Sequence, residues 1–125
     1  GVIANPAFGL PVKTGTTVGK THEFSPTCGY SNGAPDVSYT WTAPATASYT
    51  FSTKGSSFDT ILHIRSFTNS AVTLGCNDNT RDSKQSSVDL NLTVGTTVII
   101  VVDGYSSQSG AFALNITKGK PCQFG

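Results

Sequence analysis

The feature that most constrains the fold is an alternation of apolar and polar residues with a period of two, which begins at Val37. Residues 37–42 place Val, Tyr and Trp on one phase and Ser and Thr on the other. Residues 88–94 repeat the pattern, with Val and Leu against Asp, Asn and Thr. A period of two puts alternate side chains on opposite faces of a β-strand, and no segment shows the 3.6-residue period of an amphipathic helix. The pattern therefore predicts an all-β protein.

The arrangement of these strands indicates a sandwich. Roughly seven to eight strands follow one another at spacings of about 8–12 residues, with turn residues between them. The run at 98–102 is apolar on both phases, which is typical of a central strand covered on both faces. We therefore predict an antiparallel β-sandwich, and both a jelly-roll and an Ig-like topology fit it. Residues 1–12 contain two Pro and no clear period, so we expect them to form an extension. The chain as a whole is predicted to be one domain over residues 1–125, with a core at about 14–117 and a tail at 119–125.

Charge and composition exclude several classes of partner. Charged residues make up 12% of the chain, and the net charge is +1. Because nucleic-acid and anionic-membrane surfaces need clustered cations, we expect neither partner. No apolar run approaches the roughly 18 residues of a membrane-spanning helix. The polarity comes from 18 Thr and 15 Ser, which together with three Cys favours a secreted, extracellular domain, and we expect a monomer.

Residues with catalytic potential are sparse. The only histidines are His22 and His63, and His63 alternates with Leu62 and Ile64, so it is predicted on the exposed phase of its strand. The chain has no Gly-rich phosphate loop and no His-x-x-x-His or Cys-x-x-Cys spacing. One Glu and six Asp are scattered over turns rather than paired. We therefore predict that the chain is not an enzyme.

Six segments, in order along the chain, carry a resemblance to a known family. They are APDVSYTWTAP (34–44), SYTFST (48–53), GSSFDTIL (55–62), CNDN (76–79), VVDGY (101–105) and GAFALNI (110–116). Together they resemble the bacterial pre-peptidase C-terminal (PPC) domain family, which includes relatives of the collagen-binding domains of secreted collagenases. The resemblance covers about residues 14–117.

The resemblance implies a β-sandwich that is appended to secreted bacterial hydrolases, especially proteases, and is usually non-catalytic. Some such domains bind collagen or other insoluble polymers, and some are removed on maturation. We therefore expect an accessory domain that binds an extracellular polymer, either a collagen-like protein or a polysaccharide, with the parent hydrolase in the same chain. Two alternatives stay open. One is a structural spacer or secretion segment, and the other is a calcium-assisted carbohydrate-binding module or lectin.

Three cysteines leave one unpaired. Cys28 and Cys76 both lie inside the region covered by the resemblance, so we prefer a Cys28–Cys76 disulfide. A loop of 48 residues closed in this way would stabilise the fold by roughly 4 kcal/mol in the chain-entropy model. The alternatives are a Cys28–Cys122 bond that ties down the tail, and a Cys122 that bonds outside this chain.

Aspartates in the loops are candidate metal ligands. Calcium takes oxygen ligands from carboxylates and carbonyls, and Asp59, Asp78 and Asp103 lie in or beside turns that offer both. The competing interpretation is that these side chains bond to their own backbone and stabilise turns. PPC relatives often carry two acidic residues after the Asn, whereas here Asp78 is followed by Asn79. Calcium is the one candidate cofactor.

Aromatic side chains are the candidates for polymer binding, because flat exposed rings stack on sugars and anchor protein interfaces. Tyr39 and Trp41 share the phase of Val37 and are predicted to face the core. The predicted binding patch is drawn from loop tyrosines and from one strand phase: Tyr30, His63, Arg65, Phe67 and Tyr105. The alternative is that these are ordinary surface positions.

Two further outward features are visible. The sequons at Asn91 and Asn115 fall on outward strand phases and would accept glycans in a eukaryotic secretory pathway. Thr and Ser fill the outward phases of residues 37–42 and 48–53, where hydroxyls could hydrogen-bond a polymer.

Overall fold

Two β-sheets pack face to face in the computed structural model, which describes residues 1–4, 7–78 and 84–119. The five-stranded sheet has the order β1-β3-β8-β5-β6 and the four-stranded sheet the order β2-β9-β4-β7. The predicted all-β sandwich is therefore confirmed. The strands are β1 (Val2–Ile3), β2 (Gly9–Thr16), β3 (Val37–Thr42), β4 (Ala47–Ser52), β5 (Thr60–Ser66), β6 (Thr73–Asn77), β7 (Ser87–Leu92), β8 (Thr97–Gly104) and β9 (Ala111–Lys118).

The strand pairings select one of the two predicted topologies. β5 pairs with β6, β4 with β7, β3 with β8 and β2 with β9, and all four pairings are antiparallel. These pairs are nested, as in a long hairpin folded over on itself, which is the jelly-roll arrangement of two packed sheets. Among the residues that the structure describes, none forms a helix with the length and hydropathy of a membrane span.

The amino-terminal segment differs from the prediction. Within the predicted extension 1–12, β1 pairs in parallel with β3 and the first residues of β2 pair with β9, so these two segments belong to the sheets. These two strands raise the number in the described residues to nine. β1 has only two residues, and β2 is an edge strand whose register shifts between Gly9 and Lys13, around Pro11. An edge strand tolerates proline and needs no regular burial, so neither strand produces a period of two.

The core between the sheets combines an aromatic cluster around Trp41 with many aliphatic side chains. Trp41 is buried, with ring centroids 4.9 Å from Tyr49 and 5.4 Å from Phe51, both in edge-to-face geometry. Its Nε1 donates to the carbonyl of Ala7 at 3.0 Å, so the one polar atom of the ring is satisfied. The prediction that Tyr39 and Trp41 face the core is confirmed.

A second buried layer lies on the outer side of the five-stranded sheet. Residues 20–36, called the covering loop below, contact this face, so β5 and β8 have buried residues on both phases. The central strand predicted at residues 98–102 is β8. Its consecutive residues Val101 and Val102, which lie on opposite phases of the strand, are both fully buried. This layer determines which predicted site residues reach the surface.

Candidate functional site

Tyr30 and Tyr105 form an exposed aromatic pair at one end of the five-stranded sheet. Tyr30 belongs to the covering loop, and Tyr105 follows directly after β8. Their ring centroids are 6.2 Å apart in an edge-to-face arrangement, and the two residues are 55% and 36% exposed. The structure therefore brings together two members of the predicted binding patch that are 75 residues apart in the sequence.

The backbone of both tyrosines is held by hydrogen bonds. The amide of Ser106 donates to the carbonyl of Tyr30, and the amide of Asn32 donates to the carbonyl of Ser106, each at 2.6 Å. The amide of Tyr105 donates to the carbonyl of Asp59 at 2.9 Å, at the start of β5. The two loops are thus joined to each other and to the sheet, so the rings stand on a fixed base.

A disulfide secures the covering loop two residues before Tyr30. Cys28 and Cys76 are bonded, as predicted, and link the loop to β6. The alternative partner Cys122 lies outside the described residues. Gly29 has φ +66°, and a Cβ at this position would lie 2.7 Å from the carboxyl carbon of Asp78. Glycine at position 29 therefore lets the loop approach the end of β6 and positions Tyr30.

All three predicted calcium ligands lie near this end of the sheet. Burial raises the pKa of the Asp59 carboxyl, and Lys84 partly opposes this effect. Burial also raises the pKa of Asp78, and the neighbouring charge of Asp59 raises it further. Asp103, two residues before Tyr105, is fully buried and lies 3.3 Å from His63. Within the described ranges, no three His, Cys, Asp or Glu side chains converge as a metal site.

His63 and Arg65 are buried rather than exposed, which corrects the prediction that they lie at the surface. Both do lie on the outward phase of β5, but the covering loop lies over that phase, so His63 is fully buried and Arg65 is 6% exposed. Arg65 donates from Nη1 to the carbonyl of Ser70 at 3.0 Å and from Nη2 to the carbonyl of Ser25. Its guanidinium also stacks over Phe24, with 5.0 Å to the ring centroid. These two residues therefore anchor the loop and present no surface to a polymer.

The hydrogen bonds around His63 define its tautomer. Nε of Arg65 donates to Nδ1 of His63 at 3.1 Å, so the imidazole hydrogen is on Nε2. Nε2 then donates to Oδ2 of Asp103 at 3.3 Å, and Oδ1 of Asp103 accepts from the amide of Gly104 at 2.8 Å. A neutral imidazole thus connects a buried cation to a buried carboxylate, and the network carries no net charge.

Phe67 lies at the opposite end of the sheet from the tyrosine pair. Phe67 follows Ser66, the last residue of β5. Tyr105 instead forms a backbone hydrogen bond with Asp59, which directly precedes the first residue of that strand. The seven residues of β5 separate positions 59 and 67, which corresponds to roughly 25 Å. Phe67 is 54% exposed, so it is a surface aromatic that does not belong to the pair.

Asp36 is a buried polar residue that the sequence pattern did not single out. Its Oδ2 accepts from the amides of Glu23 and Phe24 at 3.0 and 2.8 Å, which fixes the start of the covering loop. Burial raises the pKa of this carboxyl, and the two amide bonds oppose that effect. Among the described residues, Oδ1 is buried without a hydrogen-bond partner. An Asp directly before a strand is a common turn signal, so the sequence offered no way to recognise this role.

His22 lies beside Asp36 and Ser25 but does not complete a catalytic triad. Oγ of Ser25 donates to Nε2 of His22 at 3.4 Å, while Nδ1 donates to the carbonyl of Ala34 at 3.0 Å. The carboxylate of Asp36 is 3.9 Å from Nδ1. The carboxylate–imidazole hydrogen bond that orients a catalytic histidine is therefore replaced by a bond to the backbone.

Comparisons with protein-family models and with curated proteins each found no match for this chain.

Proposed function

We propose that this chain is a non-catalytic accessory domain of a secreted bacterial hydrolase, and that it binds an extracellular polymer through the Tyr30–Tyr105 pair. The observation that carries the proposal is the contact between two exposed tyrosine rings, 6.2 Å apart, on loops that are joined to each other. Tyrosines of this kind dominate binding energies at interfaces because they combine a large apolar face with a polar hydroxyl.

Rigid loops strengthen the case for binding. A ring that must be ordered on binding loses conformational entropy, which weakens the complex, whereas a ring already held in place avoids this cost. The Cys28–Cys76 disulfide and the hydrogen bonds between residues 30 and 106 hold the pair in place before any ligand arrives. The pair therefore has the preorganisation that a binding platform needs.

The surroundings of the pair suit both a polysaccharide and a collagen-like protein. The two exposed phenol groups can exchange hydrogen bonds with sugar hydroxyls or peptide groups, and their ring faces can pack on either polymer. The disulfide supports the secreted location, because disulfides persist in oxidising compartments. The parent hydrolase rests on the resemblance to the PPC family.

Calcium assistance is the second candidate, favoured by one observation. The charge of Asp59 raises the pKa of Asp78, so the two carboxylates lie close enough to repel each other. A divalent cation would relieve this repulsion and would take further oxygens from the loop. On this alternative, chelation lowers both polymer binding and thermal stability, because a cation bound only to the folded state stabilises it.

A depletion assay tests the proposal. The purified domain is mixed with insoluble collagen, cellulose, chitin and xylan, with and without EGTA, and the protein left in solution is measured. We expect selective depletion by one polymer, and about tenfold weaker binding for Tyr30→Ala and Tyr105→Ala. Sensitivity to EGTA would favour the calcium alternative.

The matched control is Phe67→Ala, which removes a ring as exposed as that of Tyr30 at the other end of the sheet. We expect this variant to bind like the wild type, and all three variants to keep the wild-type melting temperature. No depletion by any polymer would support the spacer alternative. Equal losses from Phe67→Ala and the tyrosine variants would show that the pair is not the site.

A further inference from the structure

A cavity of about 430 Å³ opens on the outer face of the four-stranded sheet, away from the tyrosine pair. Its size is at the lower end of the range for small-molecule sites, which is suitable for one sugar ring. The residues that line it and carry the argument are Leu10, Pro11, Ser52, Lys54, Ala113 and Asn115.

The fold creates this cavity by separating two segments above a small floor residue. The register of β2 against β9 shifts between Gly9 and Lys13, so Leu10 and Pro11 form one wall. The turn after β4, at Lys54, forms the other wall. Ala113 of β9 faces outward between them, and its short side chain leaves the space open.

Asn115 supplies a buried polar group to the cavity. The residue is only 6% exposed, and its Nδ2 donates to the carbonyl and Oγ of Ser52 and to the carbonyl of Lys54 at 3.3, 3.1 and 3.0 Å. Asn115 lies on the outward phase of β9, as predicted, but it is buried there and the nitrogen that a glycan would modify is engaged, in contrast to the exposed Asn91.

Two hydrogen-bonding positions remain available beside this amide. Nδ2 uses its hydrogens on Ser52 and Lys54, and within the described part of the chain Oδ1 of Asn115 receives no hydrogen bond. Oγ of Ser52 accepts from Nδ2, which leaves its own hydrogen free to donate. The cavity thus presents an acceptor and a donor side by side, the pattern that a sugar hydroxyl pair requires.

The charge at the rim indicates the class of sugar. Lys54 is exposed at the cavity, and none of the described lining residues is acidic. In the described ranges Lys54 also forms no ion pair. A carboxylate bound here would form a charge-assisted hydrogen bond, while Leu10 and Pro11 would contact the apolar face of a ring.

We propose that this cavity binds a carboxylated sugar ring, a hexuronate unit of an acidic polysaccharide. The ring carboxylate lies at the ammonium of Lys54, and two ring hydroxyls pair with Ser52 and Asn115. This site is separate from the tyrosine pair and does not depend on the function proposed for it.

NMR titration of the ¹⁵N-labelled domain tests the proposal, with galacturonate as the probe and galactose as its neutral match. We expect saturable shifts at the backbone amides of Gly55 and Ala113 and at the side-chain amide of Asn115. Galacturonate should bind about tenfold more tightly than galactose, because only galacturonate carries the carboxylate. Lys54→Gln should remove this difference, and Lys20→Gln, an exposed cation elsewhere, should preserve it.

A steric pair of variants completes the test. Ala113→Val places two methyl groups in the cavity and should abolish the shifts, whereas Ala111→Val, on the same phase of β9 but outside the cavity, should leave them intact. Tyr105→Ala should also leave them intact, which keeps this proposal distinct from the previous one. Absence of saturable shifts, equal affinity for both sugars, or full binding by Ala113→Val would each overturn the proposal.

Discussion

The buried network of Arg65, His63 and Asp103 gives the sharpest prediction about stability. Arg65→Met removes the cation and three hydrogen bonds, and it leaves the carboxylate of Asp103 buried without a compensating charge. Arg65 and Asp103 are joined through His63, and removing one charge of such a buried network leaves the other uncompensated, as in a buried ion pair, at a cost of about 3–5 kcal/mol. Asp103→Asn has the converse effect, because it leaves the guanidinium uncompensated while nearly preserving the side-chain shape.

The double variant Arg65→Met/Asp103→Asn separates charge pairing from simple loss of contacts. It restores neutrality, so we expect it to be more stable than the sum of the two single effects by about 1–3 kcal/mol. A chain of 125 residues unfolds with an entropy near 0.26 kcal/mol/K, so each single variant should lower the melting temperature by about 10–20 °C.

Urea unfolding and calorimetry at pH 7 measure these quantities. The reasoning would be refuted by single variants that lose less than about 1 kcal/mol, which would mean that water solvates the remaining charge. It would equally be refuted by a double variant whose loss equals the sum of the two single losses. In that case Arg65 and Asp103 would act independently, and the neutral His63 would not couple them.

Two further predictions concern the covering loop. Cys28→Ser should lower the free energy of unfolding by roughly 4 kcal/mol, because the disulfide closes a loop with a sequence separation of 48 residues. Wild-type protein treated with reductant should show the same loss. An unchanged urea midpoint would contradict this prediction. Asp36→Asn should be at least as stable as the wild type at pH 7, because burial raises the pKa of Asp36 above its ordinary value of 3.8. The stability that protonated Asp36 contributes is fully present below pH 3.8 and is lost as pH rises through the raised pKa. The free energy of unfolding of Asp36→Asn should therefore depend less on pH over that window. An unchanged slope of the free energy of unfolding against pH would contradict the assignment.

The sandwich could be predicted from the sequence because most strands have one apolar face, and such a face appears in the sequence as an alternation with a period of two. It missed β1 and β2 for a physical reason. Edge strands pair on one side only, so Pro11 and the exposed Leu10 are tolerated there and the alternation disappears. Burial by a segment without secondary structure leaves no period either, and this explains the error at His63 and Arg65.

One signal could have corrected that error. Cys76 is the strand partner of His63 across the β5–β6 hairpin, and the Cys28–Cys76 bond was predicted. A bond from Cys28 to a residue beside His63 requires the segment around Cys28 to pass over the face on which His63 lies. The disulfide therefore implies that an outward phase of β5 is covered once the β5–β6 register is known. That register, the extent of the cover and the role of Asp36 did not follow from the sequence.

The burial of Arg65 changes its role rather than removing it from function. Its guanidinium holds Ser25 and Phe24, which belong to the same loop as Tyr30. Between Ser25 and Tyr30, however, the disulfide at Cys28 fixes the chain a second time. Loss of Arg65 should therefore reduce stability while leaving the tyrosine pair aligned below the melting transition. Reduction of the disulfide removes the anchor next to Tyr30. Polymer binding should therefore depend more on the disulfide than on the network of Arg65, His63 and Asp103, even though we expect the two to contribute similar amounts to stability.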